Sequence, residues 1–225
     1  LLLWSSLFGA FTLLLINQIG KTPLSFKQIS FHQVRSSAIM GFFNPFLYYL
    51  ILFKAYELLE AQIAGTLNYT WPIVLVIMSI FFLNQKISFW SVFAILVSFF
   101  GIVIISTKGS LISIGNSNLL GIILAVGSAF FWAYYWILNM KDSREETGKI
   151  FLNLIFGFIY IIIYLIFTSE PFSFPTGYAL VGSIYIGLFE MSITFVIWLL
   201  ALTNSSNTAK VSNLIYLSPF IALFF

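Results

Sequence analysis

Long apolar runs joined by short polar links dominate the pattern along this chain. A helix needs roughly 20 apolar residues to cross about 30 Å of hydrocarbon. No segment shows the strict alternation over 9–11 residues that is expected of membrane barrel strands. The pattern therefore predicts an all-α polytopic membrane protein with eight helices, at about residues 1–19, 36–56, 60–83, 87–107, 118–140, 149–168, 178–202 and 206–225.

The composition supports lipid as the solvent of this chain. Of its 225 residues, 60% are hydrophobic and only 8% are charged, and the mean hydropathy is +1.03. Soluble domains carry about 25% charged residues, which are needed to cover their surface. The chain has no cysteine, which excludes disulfides, thiolate catalysis and cysteine metal sites. We expect no metal site, no other cofactor and no nucleic-acid partner, whereas the oligomeric state is left open.

The positive charges predict an orientation in the membrane. Eight of the ten Lys and Arg residues fall on one side of the predicted helices, namely Lys21, Lys27, Arg35, Lys86, Lys141, Arg144, Lys149 and Lys210. Only Lys54 and Lys108 fall on the other. Because cytoplasmic loops are enriched in Lys and Arg, we expect loops 20–35, 84–86, 141–149 and 203–209 to be cytoplasmic. The first visible helix would then begin outside, so we expect one more helix before it.

A short motif occurs twice. TLNYTWP spans residues 66–72 and NLIYLSP spans 213–219, with Leu, Tyr and Pro at the same places and an offset of 147. Upstream, at an offset of 146, three further residues match: Gly41, Phe43 and Ala55 pair with Gly187, Phe189 and Ala201. The two copies lie five helices apart, so the second enters the membrane from the opposite side. This arrangement predicts an inverted-topology repeat, which many secondary transporters share.

Residues 58–107 resemble the end of an EamA repeat of the drug/metabolite transporter superfamily. The resemblance lies in a small-residue helix start, the mid-helix Pro72, the polar turn NQKIS and a helix that closes on Gly101. Residues 118–225 are similar, with GIILAVGSAFFWAYYWIL opening the copy and SSNTAKVSNLIYLSP carrying Pro219. One departure is Gln85, where the family's turn usually has Glu.

The resemblance implies an inverted repeat of five plus five helices, with repeats at 1–107 and 118–225 and the first and tenth helices missing from this chain. It further implies a multi-pass protein of the bacterial inner membrane, in contact with lipid and with a small-molecule substrate. The expected function is secondary transport by alternating access around a midplane cavity, as an exporter of amino acids or other small metabolites. An uptake carrier or exchanger of the same fold is the alternative. An intramembrane enzyme is less favoured because the only Asp and the only His lie in loops, and a channel is less favoured because no selectivity filter or charged ring can be read from the sequence.

Glu190 is the one acidic residue well inside an apolar run. A charge at the bilayer centre costs about 2.5–3.5 kcal/mol on insertion scales, so this carboxylate needs a partner, water or substrate. It is our candidate for proton coupling or for binding a substrate ammonium; interhelical hydrogen bonding is the alternative. Asn44 aligns with it at an offset of 146, and two stripes are predicted to line the cavity: Asn44 with Tyr48, and Glu190 with Thr194 and Trp198.

Pro72 and Pro219 are predicted to break their helices at matching depths. Proline removes one backbone donor and displaces the carbonyl four residues earlier, and in lipid such carbonyls occur where protein or water can satisfy them. The residues beside the breaks are therefore further cavity candidates: Asn68, Tyr69, Asn213 and Tyr216. A kink that serves packing alone is the alternative. Trp132 could stack on an aromatic or apolar substrate, and a lipid-facing or packing role is the alternative. The acidic cluster in KDSREETGK, residues 141–149, is expected to be a solvated turn.

Overall fold

A computed structural model of the chain describes residues 1–19, 29–106, 118–169, 173–218 and 221. The described residues contain no β-strand. Their helices, numbered in chain order, are α1 (Leu2–Ile19), α2 (Phe31–Leu58), α3 (Ala61–Leu83), α4 (Phe89–Ser106), α5 (Leu119–Lys141), α6 (Glu146–Thr168), α7 (Gly177–Asn204) and α8 (Thr208–Ile215). Six of these, all but α4 and α8, are long and apolar enough to span a membrane. The predicted all-α polytopic fold is confirmed.

Three of the helices are interrupted. Helix α2 contains a π-helical segment at Phe42–Leu47, and α7 contains one at Ile186–Thr194. At the repeat offset of 146 the first segment falls within the second. Within the first, Asn44 has φ −151° and ψ 126°, which is extended rather than helical, and Pro45 cannot donate a backbone hydrogen bond. Helix α3 is divided into Ala61–Asn68 and Trp71–Leu83.

The chain forms two compact units. Unit 1 comprises Leu1–Leu47 and Asp142–Leu200, and therefore holds α1, α6 and parts of α2 and α7. Helices α1 and α6 lie five helices apart in the chain, as the two copies of the motif do. In unit 1 they are neighbours that run in opposite directions: Asn17 is hydrogen-bonded to Glu145 at the start of α6, whereas Gly9 lies beside Leu154. Equivalent helices of an inverted repeat are expected to be antiparallel in this way.

Close helix crossings in unit 1 depend on glycine. A Cβ added to Gly187 of α7 would lie 2.7 Å from the Ser5 carbonyl oxygen and 2.9 Å from the Gly9 nitrogen, both on α1. At the contact of α2 with α6, a Cβ on Gly41 would lie 2.8 Å from the Gly157 nitrogen. Small residues let helix backbones approach in membranes, where packing rather than hydrophobic transfer drives association. The two crossings are equivalent under the repeat, since α2 corresponds to α7 and α6 to α1.

Unit 2 comprises Tyr48–Lys141 and Ala201–Phe225. One of its cores joins α2, α3 and α5 through Ala55, Leu59, Ile63, Ala64 and Ala125. A second core joins α3, α4 and α8 through Val76, Ile95, Ile102, Ala209 and Tyr216. Both copies of the repeated motif, the first in α3 and the second beginning in α8, therefore belong to unit 2.

Candidate functional site

The break in α3 follows the prediction from Pro72. The residue lies at the start of the second segment of the helix and has no N–H to offer the Asn68 carbonyl. Around the break, the backbone N–H groups of Ile73 and Val74 both donate to the Thr70 carbonyl, at 3.0 and 3.1 Å. The Thr70 hydroxyl in turn donates to the Leu67 carbonyl at 2.8 Å. The break is therefore a tight turn in which the Leu67 and Thr70 carbonyls accept the local hydrogen bonds, rather than a smooth bend.

The chain makes the same kind of turn at the end of α8. The Leu217 N–H donates to the Leu214 carbonyl at 3.1 Å, and the Ile221 N–H donates to the Leu217 carbonyl at 3.0 Å. In α3 the equivalent bonds, 147 residues earlier, are Thr70 to Leu67 and Val74 to Thr70, both at 3.1 Å. The carbonyl of Ile215 accepts a hydrogen bond from the Ser218 hydroxyl at 2.8 Å. Pro219 itself lies outside the described residues, so its predicted depth stays a prediction.

Three of the predicted site residues form one polar and aromatic cluster in unit 2. The Tyr48 hydroxyl donates to the Asn68 Oδ1 at 3.1 Å, and the Asn68 Nδ2 donates to the Ser128 Oγ at 3.0 Å. Sequence reasoning missed Ser128, which lies among small residues of α5 with no signal that separates it from a packing serine. The amide of Asn68 thus connects α2, α3 and α5 beside the break in α3.

Trp132 provides the aromatic part of this cluster. Its ring centroid lies 4.5 Å from that of Tyr48 and 6.0 Å from that of Trp71. Trp136 packs on it edge-on at 5.7 Å. Tyr48 and Trp71 are buried and Trp132 is half-buried. The cluster therefore combines aromatic rings with one amide and two hydroxyl groups.

Tyr69, Asn213 and Tyr216 form a second group in unit 2. The Tyr216 hydroxyl donates to the Tyr69 carbonyl at 3.1 Å, and the two rings lie 6.4 Å apart. The Ser98 hydroxyl of α4 donates to the Asn213 Oδ1 at 2.9 Å. Asn213 and Tyr216 also line an open cavity of about 340 Å³ between α4 and α8. The two copies of the repeated motif therefore meet each other.

The other four predicted residues lie in unit 1. Asn44 is fully buried at the kink of α2, and neither polar atom of its side chain has a hydrogen-bond partner among the described residues. On α7, Glu190 and Thr194 are exposed and Trp198 is half-buried. The extended conformation at Asn44 also interrupts the regular helical spacing that was expected to place Asn44 and Tyr48 on one face. The predicted cavity formed by both stripes stays a prediction.

The segment 141–149 is not the solvated turn that its composition predicts. Asp142 and Arg144 form a salt bridge at 2.6 Å with side chains only 12% and 13% exposed. Arg144 also donates to the Gln33 carbonyl of α2 at 3.3 Å, and the buried Lys149 donates to the Asp142 carbonyl at 2.8 Å. Burial alone would raise the pKa of Asp142, but hydrogen bonds from Arg144 and the nearby cations outweigh it and lower the pKa below its usual value.

Gln85 retains the contact that the departure from Glu put in doubt. Its Oε1 accepts hydrogen bonds from the Thr208 backbone N–H at 2.9 Å and from the Thr208 hydroxyl at 3.1 Å. The same hydroxyl donates to the buried Ser79 Oγ at 2.8 Å. Because the first N–H groups of a helix have no partner within it, the turn after α3 satisfies the start of α8. An amide oxygen accepts these bonds as a carboxylate would, without the charge.

Comparisons with known proteins agree with this architecture. The family model described as "EamA-like transporter family" matches residues 1–107 and 119–225. The uncharacterized transporter YoaV of Bacillus subtilis is 27% identical over 221 residues, which cover 96% of this chain and 74% of that protein. An uncharacterized transporter of Clostridium kluyveri is 28% identical over 168 residues, which cover 72% of this chain and 54% of the relative. A solved crystal structure at 16% identity matches 99% of this chain and 76% of its own, with a TM-score of 0.79, and supports the fold.

Proposed function

Because this chain belongs to the EamA-like transporter family, we propose that it is a secondary carrier that exports a small metabolite from a bacterial cell by alternating access. Its relatives bear the name of transporters, and its helices make it a multi-pass membrane protein. Secondary carriers place their substrate sites near the bilayer midplane, at discontinuous helices. The interrupted helices α2, α3 and α7 supply the type of helix that such a site requires.

The observation that carries this proposal is the cluster around Asn68. Its amide uses both its oxygen and its nitrogen to connect Tyr48 and Ser128 beside the break in α3. Polar groups in hydrocarbon are costly unless hydrogen-bonded, and in membrane helices they concentrate where substrates pass. With the face of Trp132 beside them, these groups favour a neutral or zwitterionic metabolite, such as an amino acid, over a polyanion.

Orientation and proton coupling complete the proposal. The Lys and Arg distribution favours a cytoplasmic position for loops 20–35, 84–86, 141–149 and 203–209. Glu190, exposed on α7 in unit 1, is the candidate for proton coupling. A carboxylate at this depth can exchange a proton with each transport cycle only if both sides of the membrane reach it in turn, as alternating access provides.

The test compares Glu190→Gln with Glu57→Gln in reconstituted vesicles, with candidate amino acids assayed by pH-driven uptake and by counterflow. Glutamine keeps the size and hydrogen-bonding capacity of glutamate but cannot titrate. If Glu190 couples protons, pH-driven transport falls sharply while counterflow persists; if it binds a substrate ammonium, both fall. Glu57 pairs with Lys54 and is 64% exposed, so Glu57→Gln should transport normally.

Near-normal activity of Glu190→Gln in both modes would refute the coupling role. The family fold would stand, and Glu190 would then serve interhelical packing. Asn68→Leu tests the cluster itself, and it should abolish both modes in protein that still reconstitutes. Uptake of the metabolite into intact cells would indicate an importer rather than an exporter. Flux that does not saturate with substrate concentration would favour a channel.

A further inference from the structure

The two equivalent tyrosines of the repeated motif occupy different environments. Tyr216 is 2% exposed, packs in the core of unit 2 against Phe99 at 6.5 Å, and donates its hydroxyl to the Tyr69 carbonyl. Tyr69 is half-buried, and its hydroxyl is hydrogen-bonded to the Ser218 hydroxyl at 2.9 Å in an exposed contact. One sequence motif therefore makes two different sets of bonds.

The helix break creates the acceptor that Tyr216 uses. In a regular helix the Tyr69 carbonyl would accept from the N–H of Ile73, four residues later. Here the Ile73 N–H donates to the Thr70 carbonyl instead, at 3.0 Å. The Tyr69 carbonyl is thus released toward the partner helix, where the Tyr216 hydroxyl reaches it at 3.1 Å. The hydrogen bond between the two tyrosines therefore depends on the helix break.

In an inverted repeat, the environments of the two tyrosines can be exchanged between the copies. When two halves share a fold but differ in local conformation, exchanging their conformations yields another state of similar energy, and inverted-repeat carriers alternate by moving one repeat against the other. The exchanged state of this pair has Tyr69 buried, with its hydroxyl donating to the Tyr216 carbonyl. The same two residues would then hold α3 and α8 together in either state.

We propose that Tyr69 and Tyr216 are positioning residues that form an exchanging hydrogen-bond latch between α3 and α8. Tyr216 is the donor in the state described above, and Tyr69 is the donor in the opposite state of the transport cycle. The latch rests on the proposed carrier function, which supplies the two states. It also accounts for a tyrosine in each copy of the motif, since each state needs its own donor.

The experiment uses the absence of cysteine from the chain. A single reporter, Gly101→Cys, lines the cavity beside Tyr216, and a Cβ at this position meets no atom within 4 Å. Maleimide labelling of the reporter is measured in the parent, in Tyr216→Phe, in Tyr69→Phe and in the double variant. Phenylalanine keeps each ring and removes only the hydroxyl. Tyr178→Phe is the matched control, because Tyr178 is 97% exposed.

We expect the two single variants to change the labelling rate in opposite directions, by up to roughly fivefold for Tyr216→Phe, which is the population shift that one hydrogen bond produces. The shift in Tyr69→Phe should be smaller, because this variant also loses the exposed hydrogen bond to Ser218 in the state described above. The double variant should return toward the parent, and Tyr178→Phe should not differ from it. Rates that move in the same direction would show general loosening and overturn the latch, as would unchanged rates.

The labelling assay needs no transported substrate, so the latch and the proposed function can fail separately. Opposite shifts in a protein that transports none of the candidate metabolites would support the latch and count against the function. Normal transport with no labelling shift would support the function and overturn the latch. Elution of each variant from a gel-filtration column as the parent peak shows that folding is intact. If Tyr216→Phe misfolds, Ser218→Ala replaces it, because it also removes a hydrogen bond made in the state described above; labelling that then moves in the same direction as in Tyr69→Phe would overturn the latch.

Discussion

Replacing Gly187 by Ala tests the close crossing of α1 and α7. The added Cβ would lie 2.7 Å from the Phe8 Cβ and 2.7 Å from the Ser5 carbonyl oxygen, whereas carbon atoms pack at about 3.5–4.0 Å. The obstructing atoms are backbone or Cβ atoms, so no side-chain rotation relieves the overlap and the helices must separate. Overpacking of this kind costs about 1–3 kcal/mol.

Gly182→Ala is the matched control on the same helix. A Cβ at Gly182 meets no atom within 4 Å, so only the helix preference of alanine remains, which stabilises by about 0.5–1 kcal/mol. Both variants gain this preference, and the overlap at Gly187 sets the difference between them at about 1–3 kcal/mol.

The measurement is thermal unfolding of both variants in one detergent, followed by the fluorescence of a fused reporter on a gel-filtration column. In a chain of this size each kcal/mol corresponds to about 2–4 °C, so Gly187→Ala should melt about 2–12 °C below Gly182→Ala. Equal midpoints, or a higher midpoint for Gly187→Ala, would contradict the close approach of the two backbones.

Three further predictions concern the polar ends of the helices. Gln85→Leu should lower the melting temperature because the start of α8 loses its acceptor, at a cost of about 1 kcal/mol. Gln85→Glu should melt at or above the wild-type temperature because a carboxylate also favours a helix N-terminus. The melting assay described above measures both variants. Asp142→Asn should lower the stability of the protein by an amount that is constant above about pH 4. The difference from the wild type should vanish as the pH falls through the lowered pKa of Asp142, since a depressed carboxyl pKa stabilises only while the group is ionised. A stability difference that stays independent of pH down to acid unfolding would oppose this. Cysteine at Ser143 should resist impermeant thiol reagents in intact cells while cysteine at Glu60 reacts, and the reverse pattern would invert the proposed orientation.

The helices could be predicted from the sequence because their apolar runs are a local property. The break in α3 could be predicted as well, since Pro72 lacks a donor wherever the chain places it. The π-helical segment of α7 could not, because it contains no proline and lies at the close crossing with α1 around Gly187, which the sequence does not reveal. A feature could be predicted when it follows from the residue's own chemistry, and it could not when it follows from contacts with a distant helix.

Polar contacts between distant segments account for most of what sequence reasoning missed. Segment 141–149 has the composition of a solvated turn, but Arg144 is half-buried and donates a hydrogen bond to the Gln33 carbonyl, 111 residues away. Ser128 joins the candidate site only because α5 lies against α3. Composition reports how a segment would behave in water, and it carries no information about which other segment covers it.

The hydrogen bonds from Thr208 to Gln85 have a consequence for the biogenesis of the protein. The two residues are 123 positions apart, and ribosomes add about 5–20 residues per second, so the turn after α3 precedes its partner by roughly 6–25 s. During that interval the Gln85 oxygen depends on water at the membrane surface. The acceptor for the first N–H group of α8 is therefore already synthesised when α8 emerges. A nascent chain halted before residue 208 would leave the acceptor sites of Gln85 without their protein donor, Thr208.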